Sequence, residues 1–161
     1  LGHARVSAGG LAQADNLPLK FLEQILLQLR AAGYVDTQRG KGGGYYIAKP
    51  LKEIKMGELV RLLDGPLAPI ACASRSAYER CSCPDEAHCG LRMLMIDVRN
   101  AVANILDRYA LYHVVEITLR KMRRDGVEHF FLTAKDPTPV PVLEDPANPA
   151  DGFLAELARK P

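Results

Sequence analysis

One apolar stripe, and the abrupt change of period behind it, constrain this chain more than any other feature. Leu22, Ile25, Leu26 and Leu29 fall at i, i+3, i+4 and i+7, the spacing of a helix that buries one face. Asn16 is placed to cap that helix, Pro18 suits its first turn, and Gly33 supplies a natural stop. The pattern then becomes strand-like: Tyr34 to Thr37, a turn Arg39-Gly40-Lys41-Gly42-Gly43-Gly44, and a return strand Tyr45 to Ala48 closed by Pro50. Ahead of the stripe, Ser7 is placed to cap a shorter helix running to about Asp15. Helix, tight turn, helix and hairpin, in that order, predict a winged helix-turn-helix. The expected fold class is mainly α with a small β-hairpin wing.

The rest of the chain extends this head. Met56, Leu59, Val60 and Leu63 share one side of a helix over 55–64, which Gly65-Pro66 stops. Residues 66–90 carry the cysteines and little periodicity. Over 91–122, Leu91, Met95, Val98, Val102, Ile105 and Tyr109 recur at threes and fours, joined by Leu94, Ala101 and Leu106. A single helix of that span approaches about 45 Å. It outruns what the small head covers, so its stripe needs a partner, most economically the same helix of a second copy. Arg120, Lys121, Arg123 and Arg124 stand at its C-terminal end, where positive charge suits the helix dipole. The expected organisation is a DNA-binding head over 1–65, a cofactor loop over 66–90, a dimerisation helix over 91–124 and a largely irregular tail over 125–161. That tail holds six of the eleven prolines, with one turn of helix expected around Phe153–Leu157.

Charge is split along the chain. Residues 1–57 hold eight Lys or Arg and four acids, whereas Asp136 to Glu156 hold five acids and no base. A basic head fits a polyanion partner, here double-stranded DNA. On the second helix, Lys20, Glu23, Gln24 and Gln28 lie away from the apolar stripe. Lys donates to guanine or phosphate, Gln pairs with adenine, and Glu accepts from cytosine. Arg39 and Lys41 flank the wing turn, whose glycines admit a phosphate closely. The alternative for the same pattern is a solvated helix face on a winged-helix protein–protein module. With 6% aromatics and no Trp, a large aromatic-lined substrate pocket is not expected. No nucleophile stands beside a base, and the glycines at 42–44 open no helix, so they make no nucleotide loop. The chain is therefore not expected to be an enzyme. No signal peptide or membrane-length apolar run is visible, which predicts a cytoplasmic protein with no membrane partner.

Four cysteines, Cys72, Cys81, Cys83 and Cys89, lie within eighteen residues. Soft thiolates clustered on a loop suit an iron–sulfur cluster or zinc. Free thiols, or a disulfide formed on oxidation, are the plainer alternative. The spacing lacks the paired C-x-x-C knuckles of a zinc ribbon and the compact runs of ferredoxins. A fourth ligand is left open among His88, a carboxylate and a residue preceding Leu1.

Three segments together resemble a known family. Leu17-Pro-Leu-Lys-Phe-Leu-Glu-Gln-Ile-Leu26, Leu29-Arg-Ala-Ala-Gly-Tyr-Val35 and Arg39-Gly-Lys-Gly-Gly-Gly-Tyr45 resemble the signature of the Rrf-two family of bacterial transcription regulators. The likeness runs from about Val6 to Thr118. It implies a winged-helix head, a long crossing dimer helix, a homodimer on a palindromic operator, and sensing of iron, redox state or nitric oxide, typically by a repressor. It puts Lys20, Glu23 and Gln24 on the recognition helix and Arg39 at the wing. Cluster-binding members carry three loop cysteines, the last two commonly with five residues between them, which Cys83 and Cys89 match, with Cys72 as the first. The gap after Cys72 is longer than usual and Cys81 is additional, so Cys81 is an alternative middle ligand. Members also begin with a helix ahead of Val6, which is expected to precede the sequence given. Some relatives bind no cluster, so a metal-free or zinc-bound thiol regulator of the same fold is the second expectation.

Overall fold

The computed structural model describes residues 5–126 and 157–159. Its elements are α1 (Ala8–Ala14), α2 (Leu19–Ala31), β1 (Val35–Gln38), β2 (Gly44–Ile47), α3 (Met56–Leu63), a 3-10 turn at Ala71–Ala73, α4 (Gly90–Arg108) and α5 (Leu111–Arg124). The Ser7 hydroxyl accepts a hydrogen bond from the Gly10 amide at 3.0 Å and caps α1. Leu22 and Leu26 are buried with Ala12, and Ala8, Leu11 and Tyr45 pack against them. Ile25 and Leu29 are half-buried beside them, so the stripe faces inward as its spacing required.

Asn16 does not cap α2. Pro18 occupies the cap position, and Asn16 instead adopts φ 50°, turning the chain between the helices. Asn tolerates that left-handed conformation better than most residues. β1 and β2 pair antiparallel with Val35 opposite Ile47 and Gln38 opposite Gly44. Val6 adds a one-residue bridge to Tyr45, with amide–carbonyl bonds of 3.0 and 2.9 Å, and so anchors the start of α1 to the wing.

Behind the wing, the buried Tyr34 hydroxyl donates to Glu58 at 3.0 Å and ties the head to α3. Burial, followed by the Glu58 hydrogen bond, raises the Tyr34 pKa above its ordinary value.

The single helix expected over 91–122 is in fact two. α4 ends at Arg108, Tyr109 and Ala110 are extended, and α5 restarts at Leu111. The interruption is non-local in origin. Ala110 bridges Lys55, the Met56 amide donates to Tyr109 O at 3.0 Å, and the Leu111 amide donates to Ile54 O at 2.8 Å. Ile54 and Ala110 are each 1% exposed, which makes this joint the most tightly closed point described along with Ala73. Burying an Ile side chain contributes about 2 kcal/mol, enough to favour the break over two more helical residues. His113 completes it, its Nδ1 accepting from the Ala110 amide at 3.1 Å. The helical turn expected around 153–157 and the rest of the tail lie outside the described residues, apart from Asp125, Gly126 and 157–159.

Candidate DNA-reading face and cysteine pocket

Among the described residues α2 is packed by one face only, and the opposite face is open. Lys20, Glu23, Gln24 and Gln28 are all exposed there. Leu27, 51% exposed, falls on the same face four residues after Glu23. Sequence reasoning passed over it, because an apolar residue beside an apolar stripe reads as core. At the wing, Arg39 and Lys41 are exposed at the tip. The turn is closed by the Gly43 amide on Gly40 O at 2.9 Å, with Gly42 at φ 77°. A Cβ at Gly43 would stand 2.3 Å from Gln38 O, so this tip admits no side chain there. Lys41 is thereby held at the apex of a tight turn.

The cysteine loop is held on α4 by two arginines. Arg92 Nε donates to Cys72 O at 2.9 Å, and Arg99 Nη1 donates to Ala73 O. With Cys72 and Ala73 buried beneath, the 3-10 turn becomes a fixed platform. All four cysteines line one open pocket of about 260 Å³, together with Ile70, Glu79 and Leu91. Ligand atoms of Cys72, Cys81 and Glu86 lie within 4.8 Å of one another. Of the two candidates for the middle position, then, Cys81 stands with Cys72 in this cluster, while Cys83 and Cys89 line the same pocket beside it. Glu86 is itself held, accepting from the Tyr78 hydroxyl at 2.9 Å and ion-paired with Arg92 at 3.3 Å. His88 points elsewhere, its Nδ1 2.7 Å from Asp85 Oδ2.

The thiols differ in chemistry. Burial pushes the Cys72 thiol up, and the negative fields of Cys81 and Glu86 add to it. Hydrogen bonding from Cys83 holds the Cys81 thiol below its ordinary value, and the same partnership raises Cys83. Cys89 takes the N-cap position of the 19-residue α4, whose positive dipole end suits an anionic group. Four sulfur donors around one pocket, with a helix N-terminus beside them, fit an iron–sulfur cluster. They fit a tetrahedral zinc ion as well.

A two-helix head with a basic wing, carried on an arm outside the head, defines a winged-helix DNA-binding transcription regulator. The family model for Rrf2, described as iron-dependent transcriptional regulator, matches residues 2–117. The chain belongs to the Rrf2 family, whose members are regulators and not enzymes. It is 43% identical over 102 residues to the rrf2-like HTH-type transcriptional regulator of Rhodobacter capsulatus, covering 63% of this chain and 68% of that protein. CymR of Bacillus subtilis is 31% identical over 117 residues, 73% of this chain and 77% of that protein. The solved structure of that CymR, described as a global cysteine regulator, matches with a TM-score of 0.54 at 33% identity, covering 69% of this chain and 78% of that one. IscR of T. potens matches with a TM-score of 0.51 at 25% identity, covering 78% and 73%. No described helix is long and apolar enough to cross a membrane.

Proposed function

We propose that this chain is a homodimeric repressor that reads a palindromic operator and whose DNA affinity is set by an iron–sulfur cluster held on the 66–90 loop. The convergence of four cysteines on one pocket at the base of α4 carries this reading. Cys72, Cys83 and Cys89 hold the cluster, with Cys81 as the alternative middle ligand; a bound cluster supplies iron that exchanges electrons or binds nitric oxide. The chain's own residues do the rest. Arg92 and Arg99 fix the Cys72 turn to α4, so a change at the thiolates is felt by the arm. α4 in turn meets the head through Arg61 and Asp107, whose side chains are bonded twice, at 2.7 and 2.8 Å. The loop therefore sits between reading head and arm, where it can favour one arrangement of the two.

For DNA, Lys20, Glu23, Gln24 and Gln28 enter the major groove while Arg39 and Lys41 contact phosphate. Leu27 lies among the base-reading residues, where a thymine methyl is its natural partner.

The dimer rests on α4. Leu91 is 60% exposed, Leu94 55% and Ile105 45%, with Val98 and Val102 between them on the same side. No residue of this 19-residue helix is buried within the described chain. Apolar surface of that extent is covered in stable proteins, and a second copy of the helix covers it with the same residues.

Purification without oxygen, followed by iron and sulfide analysis, tests the cofactor. Brown protein with near-stoichiometric iron and sulfide is expected, and colourless, iron-free protein overturns it. A second reading, a metal-free thiol regulator, is favoured by the likeness to CymR and by the hydrogen-bonded Cys81–Cys83 pair. Thiol titration of iron-free protein, showing two fewer thiols after mild oxidation, would support that reading instead.

A further inference from the structure

We infer that a second cavity, on the far side of α4 from its apolar stripe, binds a small dianion carrying a phosphate or two carboxylates. The cavity is about 280 Å³ and takes its walls from α3, from the loop at 74–76 and from α4. Arg61, Arg75, Arg99, Asn100 and Asn104 bring nitrogen donors to it, and among its described lining residues Asp107 is the one acid. That acid is committed to Arg61, through two bonds of 2.7 and 2.8 Å.

The other two guanidiniums keep their charge. Arg99 donates to neutral oxygens, Ala73 O and Asn100 Oδ1, and none of the described ion pairs includes it. Arg75 has no described partner. Two uncompensated positive charges facing one cavity match a ligand charge of minus two. Guanidinium forks engage carboxylate or phosphate oxygens in pairs. Asn100, whose Oδ1 is taken by Arg99, has its amide nitrogen left to donate. Among the described residues the lining holds no aromatic side chain to stack a nucleobase. The volume lies near the lower bound of small-molecule pockets, which limits the ligand to a compact one.

The position gives the site its consequence. The pocket face of α4 carries Arg99, Asn100, Ala103 and Asp107, and the exposed apolar stripe of Leu91, Leu94, Val98, Val102 and Ile105 lies on the opposite side. A second copy seated on that stripe leaves the cavity open. An anion bound there bridges the arm, the cysteine loop and α3, and holding it requires no cluster.

Calorimetric titration of the full chain in low-salt chloride buffer, with inorganic phosphate and with succinate as separate probes, tests the site. At least one probe is expected to saturate at one site per chain. Phosphate alone marks a single tetrahedral dianion, and succinate alone marks a dicarboxylate. Arg75→Gln, at an exposed residue with no described partner, is expected to weaken binding about tenfold with an unchanged melting temperature. Asn104→Asp, which puts a carboxylate in the cavity without altering its shape, is expected to abolish binding. Absence of saturable heat from both probes overturns the inference, as does binding that both variants leave intact.

Discussion

Gly57 shows how one residue sets the distance between head and arm. A Cβ at this position would lie 1.9 Å from Asp107 Oδ1 and 2.9 Å from Arg61 Nη1. Glycine lets α3 pass directly beneath the ion pair that fastens it to α4. Ala favours a helix over Gly by about 0.5–1 kcal/mol, so the two effects of Gly57→Ala oppose each other. The variant is expected to be destabilised in the wild-type background and stabilised in an Asp107→Ala background, with a coupling of about 1 kcal/mol by chemical denaturation. Equal effects in both backgrounds would remove the ion pair from the explanation. The Arg61 hydrogen bond holds the Asp107 carboxyl below the usual carboxylate range. A depressed folded-state pKa contributes stability above the unfolded value of about 3.9, and that contribution fades as pH falls through the lower folded value. Both side chains are about half-exposed, so solvent screening keeps the contribution under about 1 kcal/mol. The melting-temperature gap between wild type and Asp107→Asn should therefore be constant near neutrality and close below about pH 4. On the proposed DNA-reading face, Arg39→Ala should weaken operator binding for all sequences and reduce the salt slope by about one. Glu23→Ala should change base preference more than affinity, as read by binding to an operator series with single-base changes.

At the scale of elements, α4 and α5 divide labour that one helix was expected to carry. Among the described residues α4 leaves its apolar side uncovered, whereas α5 buries Ile117 and is pinned at its start by the joint with Ile54. Val98→Glu and Ile105→Lys each put a charge into the stripe proposed for dimerisation. Each is expected to yield monomer by light scattering, with helix content retained and operator affinity lowered at least tenfold, since a palindrome then meets one head at a time. A dimer that survives both substitutions would move the interface off α4. The 3-10 turn is the other decisive element, because it is short enough to be positioned wholly by what clasps it. Arg92→Ala releases Cys72 O and one partner of Glu86, and it should loosen cofactor retention before it affects the head. Iron loss on anaerobic gel filtration measures that directly.

For the whole molecule, the arrangement places a cysteine pocket at the start of α4 and an arginine-lined cavity farther along it, and α4 meets the head through α3 and the joint at Ile54–Met56. Cys72→Ser should abolish visible absorption in anaerobic protein. Comparison of Cys81→Ser with Cys83→Ser identifies the middle ligand, since only loss of the true ligand removes iron. Retained iron in all of the single-serine variants, Cys89→Ser included, would argue against thiolate ligation by this loop.

The sequence alone determined the elements whose signals are local. The stripe of Leu22, Ile25, Leu26 and Leu29 could only face a core, Gly33 could only end its helix cheaply, and the hairpin follows from a glycine turn between two short alternating runs. The open face with Lys20, Glu23, Gln24 and Gln28 was legible for the same reason, as what remained once the stripe was assigned. Tertiary structure decided what depends on residues distant in the chain. The break at Tyr109–Ala110 was invisible because nothing local disfavours helix there, and it is made by Lys55, Ile54 and Met56 bonding across more than fifty positions. The pairing of Arg61 with Asp107, the capture of the Cys72 turn by Arg92 and Arg99, and the charge left over on Arg75 and Arg99 are likewise non-local. Periodicity reports which face of an element is apolar, and only packing reports what that face, or the one opposite, is brought to meet.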